Sequence, residues 1–113
     1  MGILGKILSS FSSGPPIQNL ETFDMVVKMK DGGLLLPIVT SKHLDNSEEV
    51  INLLRKKIEN YVEMISMEEF KKDYPNVKYF VIEIKCVDMP AYEIVAEVEE
   101  LKKKHNIEII FSD

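Results

Sequence analysis

The sequence contains little of the chemistry from which disulfide frameworks, metal centres and thiol enzymes are built. Among its 113 residues are one cysteine, Cys86, and two histidines, His43 and His105. One cysteine cannot form an internal disulfide and is typical of a reducing compartment, so we expect a cytoplasmic protein. The cysteine and the histidines also lack the spacing of zinc ligands. The sequence therefore predicts no metal site, and we expect no cofactor.

Positive charge and long apolar runs are also scarce. A net charge of −5 disfavours nucleic acid as a partner, because nonspecific nucleic-acid binding requires a basic face. No run of about twenty apolar residues could cross a membrane. Residues 1–11 are not typical of a signal peptide, because their apolar residues are spaced and only Lys6 is basic.

The negative charge lies mainly in the second part of the chain. Residues 1–44 carry four Lys and three Asp or Glu, a net of +1, whereas residues 45–113 carry ten Lys or Arg and sixteen Asp or Glu, a net of −6. This distribution favours a basic partner over an acidic one. The composition, 45% hydrophobic and 29% charged, is that of one globular domain.

The strongest pattern in the chain lies in residues 43–65. Asp45, Asn46 and Ser47 can accept hydrogen bonds from the first N–H groups of a helix, and Asn46 with Glu49 has the spacing of a capping box. Apolar side chains then recur at intervals of three and four, which predicts a long amphipathic helix. These side chains are Val50, Leu53, Leu54, Ile58, Tyr61, Val62 and Ile65.

Four segments have the patterns of β-strands. They are residues 22–30, 34–40, 77–87 and 107–111. Asp31-Gly32-Gly33 predicts a hairpin turn between the first two. In the second segment Pro37 cannot donate a ladder hydrogen bond, which favours an edge position or a bulge. We therefore expect the sheet order 2-1-3-4.

Two further helices are predicted, one within the domain and one before it. The first starts at residues 88–90 and closes at Asn106, which can adopt the left-handed conformation. Residues 3–11 have the spacing of a short amphipathic helix, which could dock on an open side of the sheet, on a partner or on a membrane surface. We assign residues 1–18 to this helix and its Pro/Ser linker, and residues 19–113 to a single domain.

These elements predict an α/β fold, an α+β two-layer sandwich. Its four-stranded mixed sheet has the element order β-β-α-β-α-β, with two long helices on one face and a short N-terminal amphipathic helix in front. The connections to parallel strands are expected to be right-handed.

His43 and Asp45 lie between the end of the second strand and the start of the long helix. In α/β folds, ligand-binding and catalytic sites often lie at this position. A His–Asp pair could act as a general base or bind a metal, but no third group lies close in sequence. Short polar side chains commonly bond the backbone at such turns, so we interpret both as turn and cap residues and predict no catalytic residue. Cys86 shares a strand face with apolar residues and is interpreted as a core residue.

The last helix has an acidic face, which is either a solvated surface or a binding site for a basic partner. Together with the turn before the long helix, this face is the candidate partner-binding surface. Its residues are His43, Asp45, Asn46, Glu93, Glu97 and Glu100.

Residues 43–65 resemble a family of small bacterial proteins of unknown function in which an H-L-D turn precedes a helix of the pattern L-L-x-x-K-I-x-x-Y-x-x-x-I. The matching residues are His43-Leu44-Asp45, Leu53-Leu54, Lys57-Ile58, Tyr61 and Ile65. The resemblance extends more loosely over residues 34–111. It departs at Asn46, where the family often has an aromatic residue, and it has no counterpart for residues 1–18. The resemblance implies an α/β fold, transfers no catalytic residue, and suggests companions of secreted bacterial toxins.

The leading functional hypothesis is a small, non-enzymatic, cytoplasmic binding protein, and more specifically an immunity protein that neutralises a basic bacterial toxin. A second hypothesis is a membrane-surface or assembly adaptor that acts through residues 3–11. A third is a small enzyme that uses His43 and Asp45. The sequence leaves the oligomeric state open, and a homo-oligomer is compatible with it.

Overall fold

The structure is a computed structural model and describes residues 14–113. The predicted N-terminal helix in residues 3–11 lies outside this part of the chain. In chain order the strands and helices are β1 (Val27–Lys28), β2 (Gly33–Val39), α1 (Glu48–Ile65), α2 (Glu68–Asp73), β3 (Tyr79–Lys85), α3 (Tyr92–His105) and β4 (Glu108–Ser112).

The four strands form one mixed sheet in the order β1-β2-β3-β4. β1 pairs antiparallel with β2, whereas β2–β3 and β3–β4 are parallel. The predicted fold class is therefore confirmed. The expected sheet order 2-1-3-4 is wrong, because β2 and not β1 is the neighbour of β3.

Pro37 explains why the predicted order failed. The two residues of β1 pair only with Leu34 and Leu35, so the outer side of β2 at Pro37 has no strand beside it. The absent N–H of the proline therefore breaks no ladder bond, although β2 lies inside the sheet. Farther along, the backbone N–H of Val39 donates to Asp24 Oδ2 at 2.8 Å, and this side chain takes the place of a neighbouring strand.

One face of the sheet carries the core. Alternate side chains of β2 and β3, such as Leu36, Ile82 and Ile84, point toward the helices and are fully buried. α1 and α3 pack against each other and contribute to the same apolar cluster. The buried helix residues that complete it include Leu54, Ile58, Tyr61, Ile94, Val98 and Leu101.

The ends of the helices differ from the prediction in detail. α1 begins one residue after Ser47, whose hydroxyl accepts a hydrogen bond from Val50 N at 3.2 Å, so the cap is Ser47 and the predicted Asn46 capping box is wrong. α3 begins at Tyr92, after residues 88–90, where its start was predicted. It ends, as predicted, at Asn106 in the left-handed conformation, with φ of 52°.

Candidate functional site

Two loops meet at the carboxyl end of the parallel strands. The loop after β2 contains His43 and Leu44, and the loop after β3 contains Asp88 and Ala91. His43 Nδ1 lies 2.8 Å from Asp88 Oδ1, and the backbone N–H of Ala91 donates to Leu44 O at 2.9 Å. The turn before α1 and the start of α3, which are far apart in sequence, are therefore one surface.

Asp45 is a turn residue, as predicted. Its Oδ1 accepts a hydrogen bond from the backbone N–H of Ser47 at 3.0 Å. Hydrogen bonds from the Ser47 side chain and backbone lower the pKa of Asp45 below its ordinary value. This carboxylate therefore helps to fix the chain at the start of α1, and Asn46 beside it is exposed.

The ring of His43 is paired with Asp88 and not with Asp45. Both members of this pair are about half exposed, at 48% and 58% of the side chain. Within residues 14–113, no three His, Cys, Asp or Glu side chains are placed to hold a metal ion. The pair joins the two loops across the carboxyl edge of the sheet.

A groove of about 480 Å³ lies between α1 and α3. Tyr92 stands at one end of it with 81% of its surface exposed, and Glu93 and Glu100 on α3 are also exposed. Met89, just ahead of the helix, is 86% exposed. The groove is lined by Glu48, Ile51, Asn52, Arg55, Tyr92, Glu93, Ala96, Glu97 and Glu100.

Glu97 lines this groove, and its carboxylate is already paired with a cation. Arg55 Nε donates to Glu97 Oε2 at 2.8 Å and Arg55 Nη2 donates to Glu97 Oε1 at 3.0 Å, which is a bidentate pair. The hydrogen bonds from Arg55 lower the pKa of Glu97. Glu97 therefore joins α3 to α1, and Glu93 and Glu100 remain the outward-facing carboxylates of the predicted face.

We call the acidic surface the continuous area made of the turn before α1, the start of α3 and the groove. It contains six carboxylates and two exposed apolar side chains, and the Arg55–Glu97 pair lines the groove. Its members are Asp45, Glu48, Asp88, Met89, Tyr92, Glu93, Glu97 and Glu100. Such an area offers a cationic partner both charge and apolar contact.

A second polar cluster was not predicted from the sequence. Lys57 lies on the buried face of α1 with no exposed surface, and its ammonium donates to Asp24 Oδ1 at 2.8 Å. It also donates to three backbone carbonyls, of Gln18 at 2.9 Å, Asn19 at 2.7 Å and Thr22 at 3.2 Å. Three N–H donors thus meet four acceptors, which makes Lys57 a structural cation that fixes the chain before β1.

One signal in the sequence could have revealed this cluster. Lys57 is four residues before Tyr61 and three after Leu54, so it falls in the apolar stripe of α1. A lysine at such a position must either extend to solvent or find buried acceptors. Its acceptors lie in residues 18–24, close to Ile17, which is 1% exposed.

Cys86 is a core residue, as predicted. It is buried, and its thiol lies 3.7 Å from Ile84 O. Burial and the nearby charge of Asp88 raise the pKa of the Cys86 thiol, which disfavours the reactive thiolate.

None of the helices in the described part of the chain has the length and apolar character needed to cross a membrane. Neither the curated proteins nor the solved structures include a match to this chain. The model of a protein family of unknown function, DUF6572, does match, over residues 16–111. This span begins next to Ile17 and ends within β4, so it includes the Lys57 cluster, the acidic surface and all of the sheet except Ser112. The chain therefore belongs to the DUF6572 family of unknown function.

Proposed function

We propose that this protein is a non-enzymatic binding module whose partner is a basic protein. The observation that carries the proposal is the groove between α1 and α3, where the exposed Tyr92 ring stands among carboxylates. Exposed aromatic side chains are the residues that most often dominate binding energy at interfaces. Tyr92 and Met89 are far more exposed than the other large apolar side chains of the described chain.

Charge supports the same partner. Within residues 14–113, no Lys or Arg forms a salt bridge with Glu93 or Glu100, whereas Glu97 is neutralised by Arg55. The excess negative charge attracts a cationic partner over distance and speeds its association at low ionic strength. A partner that places a Lys or Arg between the two helices would find Glu93 and Glu100 on α3 and Glu48 on α1.

The specific form that we propose is an immunity protein that covers the active site of a toxin. An inhibitor of this kind needs a stable fold, a surface complementary to a basic cleft and no catalytic machinery. The acidic surface has the required charge and an aromatic side chain that can enter a cleft.

The test is capture of the products of neighbouring genes by the purified, tagged chain, followed by measurement of the dissociation constant. We expect Tyr92→Ala to weaken the complex by roughly 30-fold or more, the effect of losing an interface anchor. We expect Glu93→Lys/Glu100→Lys to slow association and to reduce its dependence on salt.

The matched control is Glu21→Lys/Glu63→Lys, which makes the same change of charge at exposed positions outside the acidic surface. This control should leave the dissociation constant within a few-fold of the wild type. Equal losses in both double variants would show that net charge alone matters, and an unchanged affinity in Tyr92→Ala would overturn the proposed site. If no neighbouring gene product binds, the immunity role is overturned.

A further inference from the structure

The outer edge of β4 is the open edge of the described sheet. β4 is the last strand in the order, and Ser112 O accepts a hydrogen bond from Cys86 N, so the backbone of Ser112 faces β3. Because backbone groups alternate along a strand, Glu108 and Ile110 also face β3, whereas Ile109 and Phe111 direct their N–H and C=O groups outward. Unpaired edges of this kind are templates for another strand.

The opposite edge of the sheet is closed to such pairing. Beyond the two residues of β1, the outer side of β2 presents Pro37, which has no N–H and whose carbonyl accepts from the Tyr61 hydroxyl at 2.8 Å. The next outward donor, Val39 N, is bonded to Asp24. Among residues 14–113, the β4 edge therefore offers free donors and acceptors at Ile109 and Phe111, whereas the outer side of β2 from Pro37 to Val39 does not.

The side chains of β4 are self-complementary in one register. Ile110 is the central residue of β4 and is 40% exposed on the sheet face away from the helices. An antiparallel pair of β4 strands centred on Ile110 places the two Ile110 side chains together and sets each Glu108 opposite Ser112 of the other chain. Ile109 and Phe111 would then exchange four backbone hydrogen bonds, and like charges would not face each other.

The helix above this edge has the same complementarity. α1 contacts one flank of α3 through Glu97 and Lys104. Lys102 on the other flank pairs with Glu99 at 3.7 Å and lies 3.9 Å from Glu108 of β4, so this flank lies beside the β4 edge. The acidic residues of α3 precede its basic residues. A two-fold axis through β4 makes the two α3 helices antiparallel, so the acidic half of each lies beside the basic half of the other.

We propose that β4 pairs antiparallel with β4 of a second copy of this chain, which gives a continuous eight-stranded sheet. This interface uses the β4 edge and the outer flank of α3. It leaves the acidic surface free, so the dimer can be tested independently of the proposed basic partner.

The experiment is sedimentation velocity on the full chain over a range of concentrations. The wild type is expected to be a dimer that dissociates on dilution. Ile110→Lys should weaken the dimer at least about tenfold, because it puts two ammonium groups at the two-fold axis of the pair. The matched control is Val39→Lys, a residue on the same sheet face with 49% exposure, and it should leave the dimer intact.

Circular dichroism checks that each variant is folded. A wild type that stays monomeric at every concentration, or an Ile110→Lys variant that is folded and still fully dimeric, would overturn the proposal.

Discussion

Replacing Lys57 with methionine is expected to lower the free energy of unfolding by about 3–5 kcal/mol, the usual cost of removing one partner from a buried ion pair. Methionine keeps most of the length of the side chain but donates no hydrogen bond. Asp24 then becomes a largely buried carboxylate without its cation, and three backbone carbonyls lose a donor. A typical domain has a total stability of about 5–15 kcal/mol, so this one change takes a large fraction of it.

The measurement is urea unfolding of the wild type and the variant, followed by circular dichroism. Lys56→Met is the matched control, because Lys56 is the exposed neighbour on the same helix and loses the same charge. This control should change the free energy of unfolding by less than about 0.5 kcal/mol. A Lys57→Met protein as stable as the Lys56→Met protein would show that the ammonium is replaceable and that apolar contact holds residues 18–24.

Local periodicity predicted the elements whose packing depends on one face. α1 was predicted because its apolar residues keep the helical spacing over five turns, and the same spacing predicted α3. The alternation of apolar side chains predicted β3. The left-handed conformation at Asn106 was also predicted, since asparagine accepts it at low cost. These features depend on residues that are neighbours in sequence, so the sequence alone was enough to predict them.

The predicted length of β1 was wrong, because contacts with distant residues replace strand pairing over most of this segment. The alternation over residues 22–30 is typical of a strand, but only Val27–Lys28 pairs with β2. Asp24 instead directs its backbone N–H to the Tyr61 hydroxyl and its side chain to Lys57 and Val39. These partners are provided by residues from distant parts of the chain, so no local pattern could indicate them.

In the candidate site, too, the sequence predicted the local features but not the contacts between distant residues. The exposure of Glu93 and Glu100 follows from the helical face that the sequence predicts, and both are outward-facing in the structure. The partner of His43 is Asp88, 45 residues away, and Glu97 is held by Arg55, 42 residues away. Which carboxylates are free and which are already neutralised is a property of the packing between α1 and α3, and the sequence pattern does not contain it.

Tyr61→Phe is expected to lower the free energy of unfolding by about 2–3 kcal/mol, because it leaves one buried and one partly buried backbone group without partners. The Tyr61 hydroxyl accepts a hydrogen bond from Asp24 N at 3.0 Å and donates one to Pro37 O at 2.8 Å. It therefore connects α1 to the uncovered side of β2 and to the chain before β1. Phenylalanine fills the same space, so the loss reports on the hydroxyl and not on packing.

The pH dependence of this loss identifies the hydroxyl as its source. Burial raises the pKa of Tyr61 above its ordinary value of about 10. A group with a raised pKa in the folded protein contributes stability that is complete below its unfolded pKa and is lost as the pH rises toward the folded one. The wild type should therefore lose stability above about pH 10, and the gap between the wild type and Tyr61→Phe should narrow there.

Tyr79→Phe is the matched control for this pH series. The Tyr79 hydroxyl is exposed and bonds Asp31, which also raises its pKa, but no buried backbone group depends on it. Its removal should therefore cost much less at neutral pH than removal of the Tyr61 hydroxyl. Urea unfolding of the three proteins between neutral and alkaline pH makes the comparison. A gap between the wild type and Tyr61→Phe that stays constant through the alkaline range would mean that the Tyr61 hydroxyl titrates as freely as an exposed one. The bridge between α1, Asp24 and Pro37 would then not be the source of the lost stability.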